Sequence, residues 1–310
     1  MLTVLSRELI VSFRRGTPYA LLTANALVLA ALAAAVAAIS GTVSPWVAPS
    51  IGATASPAQT GLVAALIAWR GPVLFLVLAA WLALLTAFVA PATGARAVTA
   101  DRADATLEMM VASGVPAGAL VVGKWLGASL QVALVLLGAA PAFALAWLFG
   151  GVGIKVAVLT VGLLLAHAGL LVAIGMLAAA LMGGELLPTA AAAFAASLLF
   201  FVTAAAFVVG LAGGEASLVR FGVANPLLAL TAANPELTAA LAKGLAVPPS
   251  ALPIHPSATI TGRALGAPLP VVAGLLYAAL GLLLLPLVAL TLDPYHPLKT
   301  ARLRRQGLAG

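Results

Sequence analysis

The sequence predicts an all-α, polytopic membrane protein with six transmembrane helices, and three observations support this fold class. Of the 310 residues, 64% are hydrophobic and only 7% are charged, whereas about a quarter of the residues of a soluble domain are charged. The apolar residues form six long runs, and the charged residues lie at the ends of these runs. Because such a chain cannot cover a soluble surface, we expect one membrane domain over residues 1–310.

The six predicted spans cover residues 19–39, 73–92, 119–149, 154–182, 189–212 and 268–292. Each is long enough to cross the hydrocarbon core, which takes about 20 apolar residues as a helix. The third and fourth exceed this length, so we expect tilt, a kink at Pro141 or extension beyond the bilayer. Before the first span, residues 1–16 repeat apolar side chains at helical spacing, which predicts an interfacial helix.

The distribution of basic residues predicts that both termini are cytoplasmic. With that orientation, ten Lys and Arg residues lie inside and five outside, and basic residues are retained on the cytoplasmic side. Arg14 and Arg15 would then lie at the inner interface, before the first span. This pair and the apolar run after it also resemble a secretory signal. Because the run is as long as a complete span, we favour an uncleaved anchor and a multi-pass protein of the cell (inner) membrane.

Composition and spacing also exclude several kinds of site. The net charge of +7 is compatible with a nucleic-acid partner, but the basic residues flank apolar runs, so we expect membrane lipid and no nucleic acid beside them. The chain has no cysteine, which excludes disulfides, thiolate catalysis and cysteine metal ligands. The three histidines lack neighbouring ligands, and no catalytic triad is recognisable. We therefore expect no catalytic residue, metal or cofactor in this chain.

Acidic residues accumulate between the second and third spans. This segment holds three of the eight carboxylates, Asp101, Asp104 and Glu108. Their spacing of three and four residues places them on one face of a helix, and the Ser-Gly pair at 113–114 suits its end. We predict a cytoplasmic helix over residues 95–115 with one acidic face.

This segment resembles the permease subunits of type-2 ABC transporters. Their second and third spans are commonly joined by an Arg, a short gap, Thr-Leu-Glu, a turn and then Gly-Lys at the membrane. The matching residues here are Arg102, Thr106-Leu107-Glu108, a turn at 113–116 and Gly123-Lys124. The six spans and the basic N-terminal segment are also similar to that family. The chain departs from it at Asp104-Ala105, where the family often has a Gly.

The resemblance implies an export subunit without its own nucleotide site. Two copies, or one copy and a paralogue, would pair with two ABC ATPase subunits that bind ATP and Mg²⁺. The helix at 95–115 would be a coupling helix seated in the ATPase, with these contact residues: Asp101, Arg102, Asp104, Thr106, Leu107 and Glu108. Glu185, in the turn after the fourth span, is a candidate for a second contact. The alternatives are a connecting loop at 95–115 and a solvated turn at Glu185.

A motif-like stretch at 118–124 does not change this interpretation. It has the glycine and lysine spacing of a phosphate-binding loop, but Trp125 occupies the position at which Ser or Thr binds Mg²⁺. No soluble strand precedes it. We expect Lys124 to extend to the inner interface, beside Trp125, and any ATPase activity to come from another polypeptide.

Three polar residues, Asn25, Gln131 and His167, lie inside predicted spans. Polar groups are costly at this depth, so they are candidates for interhelical hydrogen bonds or substrate contacts. No Asp or Glu lies at a span centre to partner His167, and we favour packing over a proton relay. In the outer loop region at 213–267, Asn234-Pro235 suits the start of a short helix that either shapes a substrate exit or only connects two spans.

Two other functions are compatible with the sequence. A secondary transporter driven by an ion gradient would normally carry an intramembrane acidic residue or paired broken helices, and neither is evident. A membrane assembly factor of the same fold, without transport activity, is the second alternative. Association with an ATPase distinguishes both from an exporter subunit.

Overall fold

The computed structural model describes residues 4, 6, 7, 10, 14, 17–47, 70–103, 106, 109–110, 115–149, 153–182, 186–213, 225–226, 263–264 and 267–292. The helices are α1 (Thr17–Val47), α2 (Arg70–Ala103), α3 (Ala117–Leu137), α4 (Ala140–Leu148), α5 (Ile154–Leu181), α6 (Leu186–Gly213) and α7 (Leu269–Leu292). Strands β1 (Arg263–Ala264) and β2 (Ala267–Pro268) form a short antiparallel hairpin before α7. The described residues of the N-terminal segment, 4 to 14, are also helical.

Six helical segments are long and apolar enough to cross a membrane, which confirms the helical architecture and the number of predicted spans. One lies in each of α1, α2, α5, α6 and α7, and α3 and α4 together form the third. α1 continues to Val47, eight residues beyond the end of the first predicted span at residue 39. The helix predicted near Asn234 lies outside the described residues. We call the end of the bundle that holds Ala103 and Ala117 the inner end, following the predicted orientation.

α2 is longer than a membrane crossing requires. Its 34 residues run without interruption to Ala103, which at ~1.5 Å per residue gives about 51 Å against a hydrocarbon core of about 30 Å. Residues 95–103, predicted to start a separate helix, therefore continue α2. The physical reason is that no proline follows Pro91 before Ala103 and that Gly94, a weak point in an isolated helix, is packed against α5.

α5 lies at the centre of the bundle. It contacts α2 and α7 most extensively, and α3 and α6 over smaller surfaces. By contrast, α1 lies at the edge, against α2, α3 and α4. Large buried side chains of α5 include Leu163, Leu164, Leu171 and Met176.

Two glycines bring α2 and α5 into backbone contact. A Cβ added to Gly94 would overlap the backbone oxygen of Val172, and one added to Gly175 would overlap that of Pro91. Small residues at helix crossings allow this close approach in membranes. The crossing of α2 and α5 is therefore fixed by the size of two residues, one on each helix.

The third span is broken between α3 and α4, as expected from Pro141. This proline lies in the first turn of α4, and because it has no N–H it cannot bond the carbonyl four residues earlier. At the break, the Ala139 N–H donates to the Leu136 oxygen, three residues back, at 3.0 Å. The carbonyl of Val135 thus loses the donor that a continuous helix would give it.

Candidate functional site at the inner end of the bundle

Asp101, in the last turn of α2, directs its carboxylate into the bundle. Its Oδ2 accepts a hydrogen bond from the Lys124 ammonium of α3, and its Oδ1 lies 3.4 Å from Nη2 of Arg7 in the N-terminal segment. The hydroxyl of Thr106 also donates to Oδ1, at 3.0 Å. Because only 8% of Asp101 is exposed, one buried carboxylate connects α2, α3, the N-terminal segment and the residues after α2.

Lys124 is buried, although we expected its ammonium at the inner interface. Only 1% of the residue is exposed, and Nζ donates to the Ala97 carbonyl at 2.8 Å as well as to Asp101. The side chain turns inward because α2 offers a carboxylate and a backbone oxygen at this level. A buried ammonium is costly unless it is paired and hydrogen-bonded, so the Asp101 carboxylate is a condition for this arrangement.

Arg102, the next residue along α2, contacts the end of α5 instead. Its guanidinium donates to the carbonyls of Ala179 and Ala180, the latter at 3.2 Å, and to that of Met182 at 3.3 Å. The last carbonyls of a helix have no intrahelical donors and carry the negative end of the helix dipole. Arg102 therefore caps α5 and joins it to α2.

The N-terminal segment is held against the bundle by an apolar contact and a polar one. Val4 is 6% exposed and belongs to the same buried cluster as Val98 and Leu120. Arg7 adds a contact from Nη1 to the sulfur of Met110 at 3.4 Å. Further along, Ile10 and Arg14 are exposed. The segment therefore docks on the inner ends of α2 and α3, while its interfacial placement stays a prediction.

The structure describes three of the residues predicted to contact an ATPase. Asp101, Arg102 and Thr106 all make contacts within the chain. The other predicted contacts lie outside the described residues: Asp104, Leu107, Glu108 and Glu185. Arg15, predicted at the inner interface, also lies outside them. Their contact with a partner stays a prediction.

Asn25 of α1 makes the interhelical hydrogen bonds that its depth suggested. Its Nδ2 donates to the Val135 oxygen at 3.1 Å, and its Oδ1 accepts from Nε1 of Trp81 in α2 at 3.0 Å. Val135 is the carbonyl left without its helical donor by the break before Pro141. One side chain thus supplies a donor to the carbonyl exposed by the break and joins three helices.

The other polar residues of the spans also lie within the bundle. His167 of α5 is buried, with its ring centroid 5.1 Å from that of Tyr277 in α7. Neither ring nitrogen has a hydrogen-bond partner in the part of the chain that the structure describes, which fits a packing role. Trp125 donates to the Gly169 oxygen of α5 at 2.8 Å, so its indole N–H faces the bundle and not the interface. Gln131 is half-buried on α3.

Sequence reasoning missed one buried contact of the predicted outer loop. Asn225 is 1% exposed, and its Nδ2 donates to the Phe200 oxygen at 2.9 Å and to the Thr203 hydroxyl at 3.1 Å. Both partners lie midway along α6. Within the 213–267 region, the chain at Asn225 therefore packs against the middle of this helix. The available signal in the sequence was an Asn followed by Pro226, but this pair does not reveal that the Asn side chain is buried against α6.

The residues Arg7, Asp101, Arg102, Thr106 and Lys124 form what we call the inner-end junction. It connects the N-terminal segment, α2, α3 and α5 through two consecutive residues of α2. Comparison with protein-family models, curated protein sequences and solved structures finds no match for this chain. The function proposed below depends on the sequence pattern and on this geometry.

Proposed function

We propose that this chain is the membrane-spanning permease subunit of a type-2 ABC exporter, driven by a separate ATPase subunit. The observation that carries the proposal is the extension of α2 beyond membrane length, toward the Thr106-Leu107-Glu108 motif. A membrane domain can receive work from a soluble partner only through an element that projects from it and is rigidly attached. α2 supplies the rigid attachment, because the inner-end junction and the Gly94 crossing join it to its neighbours, and in the proposal the motif after α2 supplies the projecting element.

The surroundings of Lys124 support an external source of ATP hydrolysis. The stretch at 118–124 that has phosphate-loop spacing lies within the helix α3, whereas a phosphate-binding loop joins a strand to a helix. Its lysine is directed to Asp101 and the Ala97 carbonyl. This lysine is therefore not presented to a nucleotide.

The outward faces of the spans offer an apolar surface on which a second permease subunit can pack in place of lipid. On α6, Phe194, Leu198 and Phe201 are all at least half exposed. In the proposed dimer, either of two copies or with a paralogue, the cargo passes between protomers along α1, α2 and α6. Apolar walls of this kind suit hydrophobic or amphipathic cargo.

The first experiment is co-expression with any ABC ATPase subunit found to be encoded beside this gene, followed by nucleotide-dependent co-purification and transport in proteoliposomes. Glu108→Ala and Glu108→Lys are expected to weaken association and transport-coupled hydrolysis, whereas Arg96→Gln, an exposed change on α2, should not. Unchanged association and hydrolysis in both Glu108 variants would refute the coupling role. Transport driven by an ion gradient without ATP would identify a secondary transporter, and association without transport an assembly factor.

A further inference from the structure

We propose that Asp101 and Arg102 are positioning residues that make the N-terminal segment, α3 and α5 move as one body with the inner end of α2. The inference rests on the proposed function, since it names the residues that transmit a displacement of the Thr106 region to the spans. In this role they act on their own chain and do not need to touch the ATPase.

Asp101 and Arg102 contact different neighbours of α2. Successive side chains of a helix are about 100° apart, so adjacent positions reach different elements. Asp101 reaches Lys124 of α3 and Arg7 of the N-terminal segment. Arg102 reaches the final carbonyls of α5. A movement of this turn of α2 therefore displaces α3 and the N-terminal segment through Asp101, and α5 through Arg102.

A second contact makes the attachment to α5 resistant to rotation. Gly94 lies eight residues before Arg102, about 12 Å along the helix, and meets the α5 backbone at Val172. Two separated contacts between the same two helices fix their angle as well as their distance. α2 and α5 therefore form one rigid unit, and the turn that carries Asp101 and Arg102 lies at its inner end.

Burial distinguishes this role from direct contact with a partner. Asp101 is 8% exposed and Lys124 is 1% exposed, and both are engaged by groups of this chain. By contrast, Met109 is 64% exposed and Ile10 is 55% exposed. A partner at this surface therefore meets residues such as Met109 and Ile10 and not the buried pair of Asp101 and Lys124.

The first test measures the junction without any partner. The chain has no cysteine, so spin labels at Ile10→Cys and Met109→Cys report the distance between the N-terminal segment and the residues after α2. We expect one narrow distance distribution, broadened by Asp101→Asn and unchanged by Arg96→Gln. Arg7→Gln, at a partly exposed member of the pair, removes one contact with less risk to folding and should also broaden it. A distribution that stays narrow in Arg7→Gln, and in Asp101→Asn if that variant folds, would overturn the inference.

The second test uses the complex with the ATPase. Asp101→Asn and Arg102→Gln should still bind the ATPase and permit hydrolysis, but transport per ATP should fall about tenfold, within the usual range of coupling between sites. Arg96→Gln is the matched control. Variants that bind and transport like the unmodified chain would refute the inference while leaving the proposed function intact. If the unmodified chain binds no ATPase, the proposed function fails, and the spin-label distances still decide whether Arg7 and Asp101 hold the N-terminal segment to the residues after α2.

Discussion

The side-chain amide of Asn25 in α1 donates a hydrogen bond to the backbone oxygen of Val135 in α3 at 3.1 Å. That oxygen is the one whose helical donor is diverted where α3 ends, because the Ala139 N–H bonds Leu136 instead. A polar residue of the first span therefore compensates for the helix break in the third. The bond explains why an amide lies among the apolar residues of this part of α1.

Asn25→Leu is expected to destabilise the bundle. The substitution leaves the buried Val135 oxygen and the part-buried Trp81 indole N–H without these partners, and an unpaired buried group costs about 1–3 kcal/mol. Thermal unfolding in detergent measures the loss. Thr23→Val is the control, because the Thr23 hydroxyl bonds only the Tyr19 oxygen of its own helix among the described contacts. Equal unfolding temperatures for the two variants would contradict the role given to Asn25.

Asp101→Asn is expected to be more destabilising than Lys124→Met. In the first variant a buried ammonium loses its carboxylate, which costs about 3–5 kcal/mol when a buried pair is broken on one side. In the second variant Asp101 keeps Arg7, at 3.4 Å. The double variant should recover part of the loss, because no buried lysine is left. Unfolding of the three proteins gives the order, and a double variant worse than the sum of the single ones would contradict the pairing.

Gly175→Ala is expected to weaken the fold, and Gly162→Ala is not, although both glycines lie in α5. A Cβ at Gly175 would overlap the Pro91 backbone, whereas one at Gly162 meets nothing within 4 Å. At an open helical position, alanine is favoured over glycine by about 1 kcal/mol. We therefore expect opposite shifts of the unfolding temperature. Gly94→Ala should behave like Gly175→Ala, since it meets the other backbone of the same crossing.

His167→Phe is expected to preserve or raise stability. The substitution removes two buried nitrogens that lack partners among the described residues, and it keeps an aromatic ring beside Tyr277. Replacing unsatisfied polar groups by an apolar group of similar shape removes a desolvation cost. Thermal unfolding and a transport assay check it together. A stable variant that no longer transports would show that the imidazole takes part in transport, as a proton relay or as a substrate contact, contrary to our expectation.

The sequence was sufficient for the spans and insufficient for the polar contacts. Apolar run length predicted six crossings, because a helix must match the bilayer thickness, and the missing N–H of Pro141 predicted the distortion of the third. Lys124 was located correctly along α3, but its direction depends on Asp101, which lies 23 residues earlier and reaches it only because α2 continues to Ala103. Partners such as the Val135 oxygen belong to the backbone and have no signature in residue type.

The central position of α5 has a consequence for the order in which the protein is made. One long side of α5 packs against α7, which follows the other spans among the described residues, so that side lacks this neighbour until α7 has been translated. His167 lies on it and faces Tyr277. A polar ring is costly against lipid, so this face of α5 is unfavourably exposed until α7 packs on it. Synthesis of α7 is therefore the step that buries His167 during biosynthesis.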